Sequence, residues 1–344
     1  MRDFTRLAAD PVRPAMACGT AHFIYSVWPA ILRPAAVALA IGAIVGACTT
    51  GMPAANPPRP SGLGDAARPA AVVTPTDAET VAGQAFYQRI EANYLSQGML
   101  RTDAGGHDAP FGASDLAANV QRIAFFDEFS DRGGRLIAGG AEGRLHRWQS
   151  PLRLSLEFGS SVPLAQRSRD IADVATYVSR LSRLTGLPIK LTSDNPNFVI
   201  LVRTPAERRQ AGGRIQSFAP GTSPAALRSA LELKPDIYCT VFSYSSGRSA
   251  VYDRALAMIR AELPDLMRKA CFHEEIAQGL GLINDSPRAR PSIFNDTEEF
   301  ALLTRQDELM LRVLYDPRLR PGMTLDAARP IIETIAAELL PGES

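Results

Sequence analysis

The clearest pattern in the chain is a helical rhythm between Arg169 and Thr185. Ile171, Val174, Ala175, Val178, Leu181 and Leu184 fall on one stripe, and Gly186 with Pro188 ends it. A period of two takes over at Leu152–Phe158, where Leu152, Leu154, Leu156 and Phe158 alternate with Arg153, Ser155 and Glu157, as in a half-buried strand. Phe198–Val202 is an unbroken apolar run, the mark of a short buried strand. Ile237–Phe242 and part of Ala250–Ile259 read as two more strands, and Pro264–Leu280 is helical again. Upstream, Thr76 and Glu79 form a capping box for a helix through Phe86, Ile90 and Tyr94 that stops at Gly98. A second capped helix starts at Ser114 and carries Val120, Ile123 and Phe125, and Arg135–Phe158 holds strand-like pieces. The order strand, helix, strand, strand, helix predicts an α+β fold, a mixed sheet with helices packed on it.

The amino end follows a different logic. Pro34–Ala47 is an apolar run of 14 residues behind Arg33. A bilayer span needs about 20. The run fits the core of a secretory signal, with a short membrane anchor or a buried hairpin helix as alternatives. Val45-Gly46-Ala47-Cys48 resembles a bacterial lipobox. That resemblance implies that Cys48 is lipidated on sulfur, becomes the new amino terminus, and holds the chain on a membrane. Thr49 rather than Asp follows, which implies the outer membrane, facing the periplasm. Thr49–Thr76 has six prolines in 28 residues and no apolar period, so it reads as a flexible tether. The chain therefore divides into a signal region (1–47), a linker (49–76), an extension of helices and strands (77–147) and a main domain (148–344).

Composition changes the picture at three points. A net charge of +1 gives no reason to expect nucleic acid as a partner. The four cysteines, Cys18, Cys48, Cys239 and Cys271, make no C-x-x-C pair, which excludes a zinc ribbon or a thioredoxin-like motif. In an oxidising compartment Cys239 and Cys271 are expected to pair, the alternative being two buried free thiols. Histidine is scarce: beyond the signal region only His107, His146 and His273 remain, so a three-histidine zinc site would need all of them.

The chemistry centres on Cys271–Asp285, CFHEEIAQGLGLIND. His273-Glu274 begins an H-E-x-x-H motif, but Ala277 stands where the second histidine belongs. Shifted by one residue, Glu274 to Asn284 resembles the metzincin motif H-E-x-x-H-x-x-G-x-x-H. Glu275 then matches the general base and Gly281 the turn glycine, while the ligand positions hold Glu274, Gln278 and Asn284. Ser292–Asn295 resembles the metzincin Met-turn segment, with Phe294 in place of Met. Leu303–Asp307 resembles the start of a closing helix that ends at Leu314-Tyr315. The likeness runs from about Trp148 to Tyr315 and implies a zincin-like mixed sheet. The chain resembles more closely an uncharacterised bacterial family classed as lipoproteins and labelled only as a domain of unknown function. The residues that carry this are Glu274–Asp285, Pro291–Asp296 and Leu314–Met323.

Two carboxamides and one carboxylate make a poor zinc set. Oxygen donors suit Ca²⁺ better, with Asp285 and Asp296 as additions. No metal and no cofactor are expected. The leading expectation is that Glu274, Gln278, Asn284 and Asp285 satisfy one another in an old cleft. A metal site with unusual ligands and metal-free hydrolysis using Glu275 stay open. The expected role is binding or scaffolding at the cell envelope with a protein or peptide partner; an active hydrolase and a purely structural lipoprotein are the alternatives.

Overall fold

The computed structural model describes residues 20–25, 77–131, 136–139 and 141–342. The apolar run before Cys48, Cys48 itself and the 49–76 linker lie outside the described residues, as does Thr76. In chain order the elements are β1 (Thr20–Tyr25), α1 (Ala78–Ser96), α2 (Ala113–Phe125), β2 (Phe129–Asp131), β3 (Leu136–Ala138), β4 (Leu152–Phe158) and α3 (Leu164–Thr185). Then come β5 (Ile189–Leu191), β6 (Phe198–Arg203), α4 (Pro205–Arg209), α5 (Gly212–Phe218), α6 (Pro224–Glu232), β7 (Cys239–Ser245) and β8 (Arg254–Arg260). The chain closes with α7 (Asp265–Gly279), α8 (Arg305–Leu314) and α9 (Leu325–Leu339).

The main sheet has the order β1-β7-β8-β6-β4-β5. Pairs β4–β5, β4–β6 and β6–β8 are parallel, whereas β7 runs antiparallel to β8. β1, from the segment read as signal region, adds antiparallel to the outer edge of β7, from Thr20 opposite Ser245 to Tyr25 opposite Thr240. The mixed sheet with packed helices is thus as expected. Its parallel pairs, joined through helices such as α3, make it an α/β arrangement.

Alternation along the strands feeds two cores. In β6, Phe198, Ile200 and Val202 enter the larger core, and Val199 and Leu201 the smaller one. In β8, Ala255, Ala257 and Ile259 face the first side and Leu256 and Met258 the second. This is why the Phe198–Val202 run has no polar alternation: both its faces are covered. The larger core also takes residues of α2, α3, α7, α8 and α9, while α5 and α6 close the other face.

Several boundaries differ from the sequence reading, each for a local reason. Asp77 rather than Thr76 caps α1, accepting the Thr80 N–H at 2.7 Å. Glu79 does not close a capping box; it pairs with Arg209. Helix α2 starts one residue before Ser114, because Asp115 reaches back to the Gly112 N–H at 2.9 Å. Helix α3 starts at Leu164, directly after Pro163, and ends as expected with Gly186 in the left-handed region. β7 begins at Cys239 because the Ile237 carbonyl accepts from Arg260 Nε (2.9 Å) instead of joining the ladder. β8 begins only at Arg254, after the Ser246–Asp253 turn. The α8 cap is as read, with Thr304 and Asp307 bonding each other's backbone N–H.

Candidate functional site

Helix α7 crosses the larger core, and each of its ends is fastened by a different device. Near its start Arg268, 2% exposed, meets Asp170 of α3 at 2.8 Å and Asp265 at 2.7 Å, and donates to Leu263 O at 2.7 Å. Burial works against its charge, but the two carboxylates hold its pKa above the ordinary value. In the middle, Cys271 is bridged to Cys239 of β7, with Cα atoms 5.9 Å apart, so the expected disulfide is present. At the far end Trp148 Nε1 donates to Gly279 O (2.8 Å) and Tyr315 OH to Leu280 O (2.9 Å). The segments that stood out in the sequence therefore gather around the end of α7. Arg147 joins them, donating to the carbonyls of Leu314 (2.6 Å), Asp316 (3.2 Å) and Leu319 (2.7 Å) and so closing the end of α8.

The turn after α7 depends on Gly281. Its φ is +124°, and a Cβ there would sit 2.5 Å from the His146 carbonyl oxygen. Gly281→Ala combines backbone strain with a clash against main chain and should cost about 2–3 kcal/mol. Urea denaturation of the variant checks this, and a loss under about 0.5 kcal/mol, the level of an ordinary surface change, would count against the role given to this turn.

The residues singled out on α7 go separate ways. His273 is a core residue. Its Nδ1 accepts the Leu303 N–H at 3.1 Å, its ring stacks on Tyr177 at 3.9 Å, and burial drives its pKa down to about 3. It is neutral and its Nδ1 lone pair is used. Glu275 and Gln278 have no exposed surface. Neither amide atom of Gln278 has a hydrogen-bond partner among the described residues, so Gln278 bonds to neither Glu274 nor Asn284. Asn284 Nδ2 donates to Arg122 O of α2 at 3.2 Å. The ligand atoms of Glu274, Glu275 and Cys239 lie within 4.8 Å of one another, but Cys239 Sγ is committed to the disulfide and offers no thiolate. As a zinc site this donor set does not fit: one position is an unbonded carboxamide, another is tied to a carbonyl on α2, and the nearby histidine faces elsewhere.

A second polar group lies beside α7. Glu274 lines a small cavity together with Asp296 and Glu298, and Asp285 contacts Asp296. Burial, with the neighbouring carboxylates, pushes Asp285 and Glu298 well above the usual carboxylate range, and burial lifts Asp296 to about 6. The loop carrying them is organised by buried Asp307, which accepts from Ser292 Oγ (2.5 Å), Ile293 N (3.1 Å) and Thr304 N (2.9 Å). Phe294, in the segment that resembles a Met-turn by sequence alone, is fully buried, and its carbonyl accepts the Ser286 N–H. Glu298 was not among the sequence candidates; the acidic run Asp296–Glu299 was the available signal.

No curated protein and no solved structure matches the chain. Residues 113–334 match a family described as a protein of unknown function, DUF2927. That stretch spans α2 through most of α9 and contains all the residues around α7 discussed above, and by it the chain belongs to the DUF2927 family.

Proposed function

We propose that the protein is an envelope lipoprotein, acylated at Cys48 and held on the outer membrane facing the periplasm. Its main domain is metzincin-like in layout but carries no peptidase chemistry, and it acts by binding. The lack of peptidase chemistry in this reading rests on the complete burial of Glu275, the position of the general base, on a helix whose ligand positions do not suit zinc; the anchor rests on the sequence Val45–Cys48 alone. A carboxylate shut off from solvent on a helix whose donors do not suit zinc is poorly placed to activate a water.

The partner class that best suits the fold is an extended polypeptide of the envelope. β7 lies second from the edge of the sheet, and its outer side takes the six-residue edge strand, β1, by antiparallel backbone pairing. Cleavage before Cys48 would remove β1 and free this edge for strand addition. A chain starting at Cys48 should bind a labelled peptide of sequence Thr20–Tyr25 in fluorescence anisotropy, and the uncleaved chain should bind it much less. Equal affinity for both, or none for either, would remove the β7 edge as the docking site. The mass of the amino-terminal peptide from membrane-extracted protein tests the anchor separately, and an unmodified Cys48 would end that part of the reading.

A further inference from the structure

We propose that the groove between α3 and α8 is a binding site for a phosphate-bearing anion, held by Arg183 and Arg312. The groove has a volume of about 530 Å³ and is lined by Arg180, Arg183, Leu184, Glu308 and Arg312. That volume lies in the range of small-molecule sites, about 300–1,000 Å³.

The two helices set the arrangement. Arg180 of α3 pairs with Glu308 of α8, Nε to Oε1 at 2.5 Å, and its Nη2 reaches Leu303 O at 3.5 Å. Arg183 lies three residues beyond Arg180, and Arg312 four beyond Glu308. Each therefore stands one turn further along the same helix face, and both line the one groove. Both are exposed, and neither has a hydrogen bond or ion pair among the described residues. The other arginines of α3 are all engaged: Arg167 with the carbonyls of Val162, Gly159 and Ser160, Arg169 with Asp265, and Arg180 with Glu308. Three guanidiniums against one carboxylate leave the groove with an excess of two positive charges. Arg183 and Arg312 each lie in the last turn of their helix, where a cation answers the carbonyl end. That effect accounts for one cation on each helix, but not for two that share a groove and repel each other.

The donor geometry selects the ligand. A guanidinium presents a planar fork of N–H groups that engages two oxygens at once. Two forks together can use more oxygens than a carboxylate has, whereas a phosphate monoester offers three and a pyrophosphate more. Arg180 balances Glu308, so the groove's one carboxylate does not oppose an anion. Half-buried Leu184 offers an apolar contact to the body that carries the phosphate. A soluble phosphate compound and a phospholipid headgroup share this chemistry.

The full chain is titrated with inorganic pyrophosphate by calorimetry at about 50 mM salt, since exposed charges are screened at higher ionic strength. Binding should saturate at one pyrophosphate per chain. Arg183→Gln and Arg312→Gln should each weaken it about tenfold. Neither should lower Tm, because neither side chain holds another element in place. Arg89→Gln removes an exposed arginine of α1 outside the groove and should change the affinity less than about twofold. The unsubstituted chain and the Arg183→Gln, Arg312→Gln double variant are then sedimented with phosphatidylcholine vesicles, with and without about one-third phosphatidylglycerol. Both chains carry the same amino-terminal segment, so a difference between them reports the groove. Pyrophosphate binding together with anionic-vesicle binding that the double variant loses assigns the phosphate to a lipid headgroup. Pyrophosphate binding with equal sedimentation of the two chains assigns it to a soluble compound. No saturable heat at millimolar pyrophosphate would overturn the proposal, as would undiminished affinity in the double variant or an equal loss in Arg89→Gln. These readouts are separate from peptide binding at β7.

Discussion

Arg268→Ala should lower the unfolding free energy by about 3–5 kcal/mol, the largest loss expected from any single substitution near the site. Arg268 and Asp170 are both almost fully buried and lie 2.8 Å apart. Removing the guanidinium leaves the Asp170 carboxylate in the core with its main partner gone, and the Leu263 carbonyl loses its donor. The cost is the stranding of a charge, not the net worth of the pair. The double variant Arg268→Met with Asp170→Leu should therefore recover most of the loss, because an apolar pair of similar volume needs no counter-charge. Urea denaturation of the three chains checks this. A loss below about 1 kcal/mol for Arg268→Ala, the range of exposed pairs, would show that this ion pair does not hold α7 to α3.

Replacing Cys239 and Cys271 together by Ala should cost about 3–4 kcal/mol. The bridge closes a loop of 32 residues, and a loop of that length restricts the unfolded chain by this amount in the loop-entropy model. The effect is a large share of the 5–15 kcal/mol typical of a folded protein. Both sulfurs are buried, so reductant alone should act slowly on the folded chain and quickly in denaturant. Equal unfolding midpoints for the bridged and Ala-substituted chains would contradict a stabilising role.

Legibility followed the range of the forces involved. Leu152–Phe158 and the Arg169–Thr185 helix were readable because their patterns are local and repeat. The disulfide was readable because Cys239 and Cys271 were the two cysteines without another assignment. Helices α4, α5 and α6 are only five, seven and nine residues long, too short for a repeat to stand out, and α9 was hidden by Pro330 within it. The Asp77 cap was missed because Thr76 offered the same chemistry one residue earlier. Around the site, motif spacing pointed to α7 but could not place its side chains. The fates of Asn284, bonded to Arg122 O, and His273, stacked on Tyr177, depend on α2 and α3, more than 90 residues away along the chain. Arg147 and Glu298 belong to no motif, and their roles come from what the fold brings beside them.

The zinc content of the purified full chain, measured by mass spectrometry without prior chelation, tests the central claim most directly. With Gln278 unbonded, Asn284 engaged with α2 and Cys239 in a disulfide, zinc should be well below one ion per chain and should not change in Gln278→Ala. One zinc per chain, lost in that variant, would contradict the account and restore α7 as a metal-binding catalytic helix.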